Sequence, residues 1–497
     1  MAGTGSRAYL RSGAFKGLYQ DGDGFGEGLE YAWEGENFDC EGGGLRPFPR
    51  GEAQPGAVGE PIGTLAGLYR RYHTSEGEDP LLLVAAAGSS LYARDAGESQ
   101  WQRIATGIIK DSFDFVSYEV NGYYEKAGER YAQSVDGAVW VDAEAPIDVL
   151  LLTNSRDGMI CVYGDTRQAA RVTIRPGGGG EVRFGVLARH AERIWGSGIE
   201  GDPDKLMYSA PYDPFNWEAD EDNPEDGAGD ILQPSWDGDS FVALRPMGAQ
   251  LLAVKKRRVW RILGTDPSQY VMKEQYGGGA ICENSLVVHG SEAYMLSRDG
   301  LVRYDGATAE IFGRGQVKRV LGRIHWDAAD GACAAMRGDI YCLAVPLDES
   351  PVNNAVLEYD TKRGVFCLRV GVYVKSFLET EGELLFTSGL EGKVYALSGG
   401  DTLAMRWVSR WQTADGLGSV KRRFTVRICA DRSASVTVGV RTERGMWQRT
   451  MELTAGRPAR LALQARGRRF RLEVRSAAQS EFALMGGIQV ECDLDRD

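Results

Sequence analysis

The stretch Ala191–Gly313 decides how this chain folds. It opens AERIWGSGIEGDPDKLMYSAPYDPFNWE (191–218), crosses an acidic loop, resumes as LLAVKKRRVWRILGTDPSQYVMKE (251–274) and closes with GSEAYMLSRDGLVRYDGATAEIFG (290–313). Three times a short apolar run reaches a polar turn and returns: Lys205–Ser209, Arg257–Arg261 and Tyr294–Tyr304. Alternation at period two, with turn residues between the runs, argues antiparallel strands. Repetition of one such unit argues a β-propeller. In the third run Asp299-Gly300 supplies the positive φ that a tight hairpin needs.

The same scheme extends both ways. Upstream, Leu81–Ala87, Ser90–Arg94 and Trp101–Ile104 make one set, Phe113–Val120 and Arg130–Asp142 another, and Val149–Thr153, Met159–Tyr163 and Ala170–Ile174 a third. Ser134–Trp140 superficially resembles an Asp-box, but its Gly and Trp spacing is wrong and it reads as a hairpin turn. Downstream, Ile340–Pro346, Ala355–Asp360 and Gly364–Val370 precede Leu384–Ser388 and Lys393–Leu397. Sets recur at roughly 35–50 residues, the span of propeller blades. The expectation is an all-β chain: a propeller of six to eight blades over 61–400. Ser398-Gly-Gly-Asp401 reads as a linker to a C-terminal β-sandwich over 401–497, where five or more alternating runs crowd into a short segment. Residues 1–60 lack periodicity and read as an N-terminal arm or extended segment.

Composition agrees with a turn-rich β protein. Of 497 residues 65 are Gly, an excess that tight turns use and helices do not. The net charge of −13 is uneven. Residues 401–497 hold 18 Lys and Arg against 11 Asp and Glu, a balance of +7, which leaves −20 on the rest. An acidic body argues against general nucleic-acid binding, which needs basic clusters on phosphate. It suits a surface past which DNA slides. The acidic loop Asp220, Glu221, Asp222, Glu225, Asp226 and Asp230 holds six carboxylates and no base. It is a candidate channel lining, against the alternative of a solvated outer loop.

Chemistry-bearing motifs are sparse. Eight cysteines have no CxxC pair and read as reduced core thiols. His73, His190, His289 and His325 share no spacing. Asp21-Gly-Asp-Gly begins like a calcium loop and fails where Phe25 and Ala32 stand in place of oxygen ligands. Gly196–Gly201 matches GxGxxG, yet Asp202-Pro-Asp follows where a dinucleotide site needs a helix. Pro176–Gly180 lacks the Gly-Lys-Ser/Thr ending of a phosphate loop. Asp213, Glu218, Asp299 and Asp305 are the carboxylates a propeller glycosidase would use, but three of them have turn roles by position. No catalytic, cofactor or metal residue is assigned. The N-terminus shows no signal peptide and the chain no apolar run long enough to insert in a membrane, so synthesis in a cytoplasm is expected.

The central stretch, together with ENFDCEGGGLRPFPR (Glu36–Arg50), resembles the β-propeller proteins of short-tailed bacteriophage tails, the nozzle or tail-tube family. The likeness spans roughly residues 30 to 400 and is one of pattern and order. It implies a structural, non-enzymatic virion protein, made in the host cytoplasm and residing in the tail. It further implies a homohexameric ring that contacts a portal or adaptor ring and tail fibres or spikes. Viral DNA would be retained by that ring and guided through it without specific binding. The alternatives are a propeller-type glycan-processing enzyme and a glycan-binding tail fibre module.

Overall fold

The computed structural model describes residues 6–26, 28–71, 81–122, 124–126, 129–133, 139–141, 145–235, 238–275, 277–479 and 481–496. The Asp299-Gly300 turn is a tight hairpin: Glu292–Ser297 pairs with Gly300–Tyr304, Ser297 faces Gly300, and Gly300 takes φ +130°. The strands joined by such turns differ by place. Middle strands such as Gln250–Lys255 and Ile340–Val345 are buried on both faces. An outer strand such as Val271–Gln275 is largely exposed. Doubly buried strands read as continuous apolar runs, because a neighbouring sheet covers each face.

Seven four-stranded antiparallel sheets follow one another along the chain, giving a propeller-like all-β fold. Their first strands are Ile62–Tyr69, Asp114–Gly122, Val186–His190, Phe241–Met247, Val287–His289, Cys333–Arg337 and Ser376–Glu379. Each first strand neighbours the next, and the seventh neighbours the first, so the series closes on itself. Side chains stitch the closure: Thr64 Oγ1 accepts the Phe113 N–H at 2.9 Å, and Ser376 Oγ accepts that of Leu65 at 3.1 Å. The second sheet carries an inserted three-stranded sheet of Tyr124–Lys126, Glu129–Gln133 and Val139–Val141. Most of the Ser134–Trp140 turn lies outside the described residues.

The N-terminal segment is not an arm. Glu52–Ala57 pairs with Lys393–Ala396 and supplies the outermost strand of the seventh sheet, so the chain's start closes the ring. Arg7–Arg11 pairs with Leu484–Arg496, and Tyr31–Glu36 with Met405–Ser409, inside the sheets built from the C-terminus. Lys393–Ala396 of the seventh sheet and Met405–Ser409 of the C-terminal sheets lie on either side of residue 401. Seven C-terminal strands join three N-terminal ones in a four-stranded and a six-stranded sheet. The two sheets share Phe424, Val426, Val438, Val440, Leu463 and Phe470 in one core, with the Phe424 and Phe470 rings 4.8 Å apart. The same apolar cluster runs on into the fifth, sixth and seventh sheets. Periodicity was hidden in the N-terminal strands because they are short, and register shifts at Ala32–Glu34 and Lys16–Leu18 interrupt the alternation.

Polar groups lock this seam. Glu34, at the middle of an N-terminal strand, binds Arg319 at 3.1 Å, Arg406 at 3.0 Å and Arg471 at 3.2 Å. Burial raises the Glu34 pKa, but the three guanidiniums outweigh it and hold the carboxyl at about 2. Asn37 takes φ +62°, a conformation Asn tolerates better than most residues. From there its Oδ1 accepts the Val370 N–H at 2.6 Å, and its amide donates to the Ala404 carbonyl at 3.1 Å.

Candidate functional site

The closed series encloses a central cavity of about 520 Å³, and every one of the seven first strands contributes to its wall. Gly67, Phe115, Leu187, Leu244, Val287, Ala334 and Phe377 mark them in order. The cavity is of small-molecule size; a nucleic-acid duplex does not pass through it. Near one end Asp114, buried at the start of the second sheet, accepts the Leu187 N–H at 2.9 Å and pairs with Arg245 of the fourth sheet at 3.1 Å. The hydrogen bond and the ion pair together tie three consecutive sheets across the wall.

The mouth at this end is a polar recess of about 180 Å³ built from sheet-to-sheet connectors. Lys110, Lys375, Glu283 and Asp330 line it, beside Ser112 and Asn284. The Glu283 carboxyl is pushed up to about 7, first by burial and then by Asp114, against the opposing pull of Arg245 and Lys110. A carboxyl raised in this way binds its proton more tightly in the folded chain than in the unfolded one. Its favourable contribution is full below the ordinary carboxylate range and is lost as pH rises through about 7. Glu283→Gln, which mimics the protonated group, is therefore expected to be more stable than the parent near pH 8 by about 1–3 kcal/mol, the upper end being reduced by solvent screening. Near pH 4 the two should unfold alike in urea. Equal stability at both values would show that the carboxyl is not raised.

The acidic loop stands elsewhere. It connects Lys205–Tyr208 to Gly229–Leu232, the outer two strands of the third sheet, and none of its six carboxylates lines the central cavity. Arg193, 2% exposed, fastens the loop's backbone: it donates to the carbonyls of Ser209 at 2.7 Å, Gly227 at 2.6 Å and Glu225. Asp220 turns the chain by accepting the N–H groups of Asp222 at 3.0 Å and Asn223 at 2.9 Å. Asp230 lies 3.7 Å from Lys205. Among the described residues no lysine or arginine forms an ion pair with Asp220, Glu221, Asp222, Glu225 or Asp226, and all five are exposed.

The remaining candidates do not converge. Asp213 accepts the Phe215 N–H at 2.9 Å and Asp305 that of Thr308 at 2.8 Å, both closing turns. Glu218 accepts the Gly177 N–H at 2.8 Å. Gly196 lies inside the strand Arg193–Ser197, and the residues from there to Gly201 turn the chain and open no helix. His190, His289 and His325 are spread over the third, fifth and sixth sheets and their connectors, and His73 lies outside the described residues. Among the described residues no cluster of three His, Cys, Asp or Glu side chains is placed to hold a metal ion. Sequence reasoning missed Asp114, Arg245 and Glu283, whose spacing in the chain carries no motif. Only the ring brings them together.

No protein-family profile matches the chain, and no curated protein matches it. Among solved structures it is similar to the computationally designed Ika8 protein, at TM-score 0.37 and 10% identity over 70% of this chain and 100% of that one. It is also similar to a chain of a mitotic checkpoint complex, at TM-score 0.36 and 11% identity over 64% of this chain and 87% of the other.

Proposed function

We propose that the chain is a seven-bladed β-propeller joined to a two-sheet sandwich, and that it serves as a structural, non-enzymatic component of a short-tailed phage tail. Copies assemble as a ring, a homohexamer by the family resemblance, which meets a portal or adaptor ring on one side and fibres or spikes on the other. DNA passes between copies, not through the central cavity of any one of them. The observation that carries this reading is the acidic loop. Five carboxylates that pair with no lysine or arginine among the described residues project from the rim of the third sheet, and uncompensated negative charge on a channel wall keeps a duplex from settling there. The lacing of the N-terminal segment through both sheet systems supports a rigid building block.

Negative-stain images of the purified full chain, with sedimentation velocity, test the ring. Closed rings are the expected result, and a monomer at every concentration would overturn the reading. The loop has its own test. Replacing its six carboxylates with Asn and Gln should leave the melting temperature nearly unchanged, because exposed charges contribute little to stability. Replacing them with Lys should create DNA affinity that falls steeply with salt, and should slow genome ejection from assembled particles. A Lys variant that assembles, ejects at the normal rate and binds no DNA would place the loop away from the channel.

A further inference from the structure

A second pocket, of about 520 Å³, opens beside the hairpin that first revealed the fold. Its walls are the Arg298-Asp299-Gly300 turn of the fifth sheet, the connector from Arg314 to Trp326, and Asp21 of the N-terminal segment. Three cations converge here: Arg298, Arg314 and Lys318. Arg314 donates to the Asp299 carbonyl at 3.2 Å, and among the described residues none of the three pairs with a carboxylate. The arginines around them are neutralised. Arg303 is held by Glu310, Arg319 by Glu34 at 3.1 Å, and Arg323 by Glu36 at 3.0 Å and Asp348 at 2.6 Å. In a chain with 70 acidic against 57 basic residues, carboxylate partners are in excess, so three unanswered cations around one recess mark an anion-binding wall.

The rest of the lining narrows the anion. Half-buried Trp326 offers an aromatic surface, which suits a ligand with a flat apolar face and polar edges. Asp21 and Asp299 are acceptors that repel a compact polyanion and accept hydroxyl groups. Cations for one carboxylate, acceptors for hydroxyls and a ring for stacking together describe an acidic sugar. The volume lies in the range of small-ligand sites, about 300–1,000 Å³.

We propose that this pocket binds an acidic saccharide of the uronic or sialic type. Its carboxylate faces Arg298, Arg314 and Lys318, its ring lies on Trp326, and its hydroxyls donate to Asp21 and Asp299. The site goes beyond the tail reading and does not depend on ring assembly.

The test is isothermal titration of the full chain with D-glucuronic acid and N-acetylneuraminic acid, their methyl esters, glucose and inorganic phosphate. At least one acid should bind with a dissociation constant of about 1 mM or tighter, and its ester about tenfold more weakly. Trp326→Ala and Lys318→Gln should each weaken the acid by about tenfold. Lys318 is exposed, so its variant keeps the test decisive if Trp326→Ala fails to fold. A polygalacturonate arm separates a surface polysaccharide from a free sugar, and binding of either supports the proposal. Failure of both acids and of the polymer to saturate, equal binding of acid and ester, or phosphate binding as tightly as the sugars would each overturn it.

Discussion

A chain that begins at Pro61 is expected not to reach the native fold. The deletion removes Glu52–Ala57, so Lys393–Ala396 loses its outer partner and the seventh sheet is left with three strands. It also strips Arg7–Arg11, Lys16–Leu18 and Tyr31–Glu36 from the C-terminal sheets. Phe15, Leu18, Leu29, Phe38, Leu45 and Phe48 are each at most 2% exposed and all belong to the shared core. Burial of one such side chain contributes about 1.5–3 kcal/mol. Six of them together amount to about 9–18 kcal/mol, comparable with the whole stability of an ordinary domain, about 5–15 kcal/mol. The same reasoning applies to the fragment from residue 402 onward, which the sequence suggests is an independent sandwich and which lacks the three N-terminal strands. Circular dichroism melts and amide dispersion check both constructions. The full chain should unfold cooperatively, and residues 61–497 and 402–497 should not. A cooperative melt of either fragment would show that the N-terminal strands are dispensable to it.

The propeller-like part was legible because its evidence is local. Asp299-Gly300 and the doubly buried middle strands state their structure within a few residues, and turn chemistry fixes the register. The spacing of those hairpins gave a number of blades only within a range, since no residue announces the last one. Closure depends on Glu52–Ala57 finding a strand more than three hundred residues later in sequence, and nothing local encodes that. The Asn37 segment was visible as part of a pattern, but its work lies in bonds to Val370 and Ala404, equally remote. The two pockets were illegible for the same reason. Arg298 belongs to a local turn, and only folding brings it to the same pocket as Lys318 and Trp326. The acidic loop shows the opposite limit: composition found it, and composition could not say that it leaves the outer rim of the third sheet.

Loss of Glu358 should be the most damaging single substitution along the seam. This carboxylate, 3% exposed, accepts Nε and Nη2 of Arg369 at 3.0 and 2.6 Å and Nη2 of Arg337 at 2.6 Å. Arg369, 1% exposed, turns its other nitrogen to the carbonyls of Pro49 and Leu397, both at 3.0 Å, and lies over the Phe48 ring. One ion pair of the sixth sheet thus holds the chain just before Glu52–Ala57 and just after Lys393–Ala396, the two strands that close the seventh. Glu358→Ala leaves a fully buried guanidinium without a carboxylate and should cost about 3–5 kcal/mol in urea unfolding. Arg337→Ala should cost less, since that side chain is one-third exposed and its loss leaves Glu358 with Arg369. The triple change to leucine should recover part of the loss, because removing all the charges removes the uncompensated one. An equal cost for Glu358→Ala and Arg337→Ala would argue against the buried pair as the seam's anchor. Acid provides an independent check. Burial pushes the Glu358 carboxyl up, but Arg369 and Arg337 outweigh it and hold it below the ordinary carboxylate range. Its stabilisation is therefore complete above that range and is lost as pH falls below it. Glu283 has the opposite sign, so acid relieves the cavity mouth while it loosens the seam. Amide hydrogen exchange in Glu52–Ala57, the strand that closes the ring, should accelerate relative to its intrinsic rate in the parent as pH falls below the carboxylate range. In Glu358→Ala it should be rapid already at neutral pH.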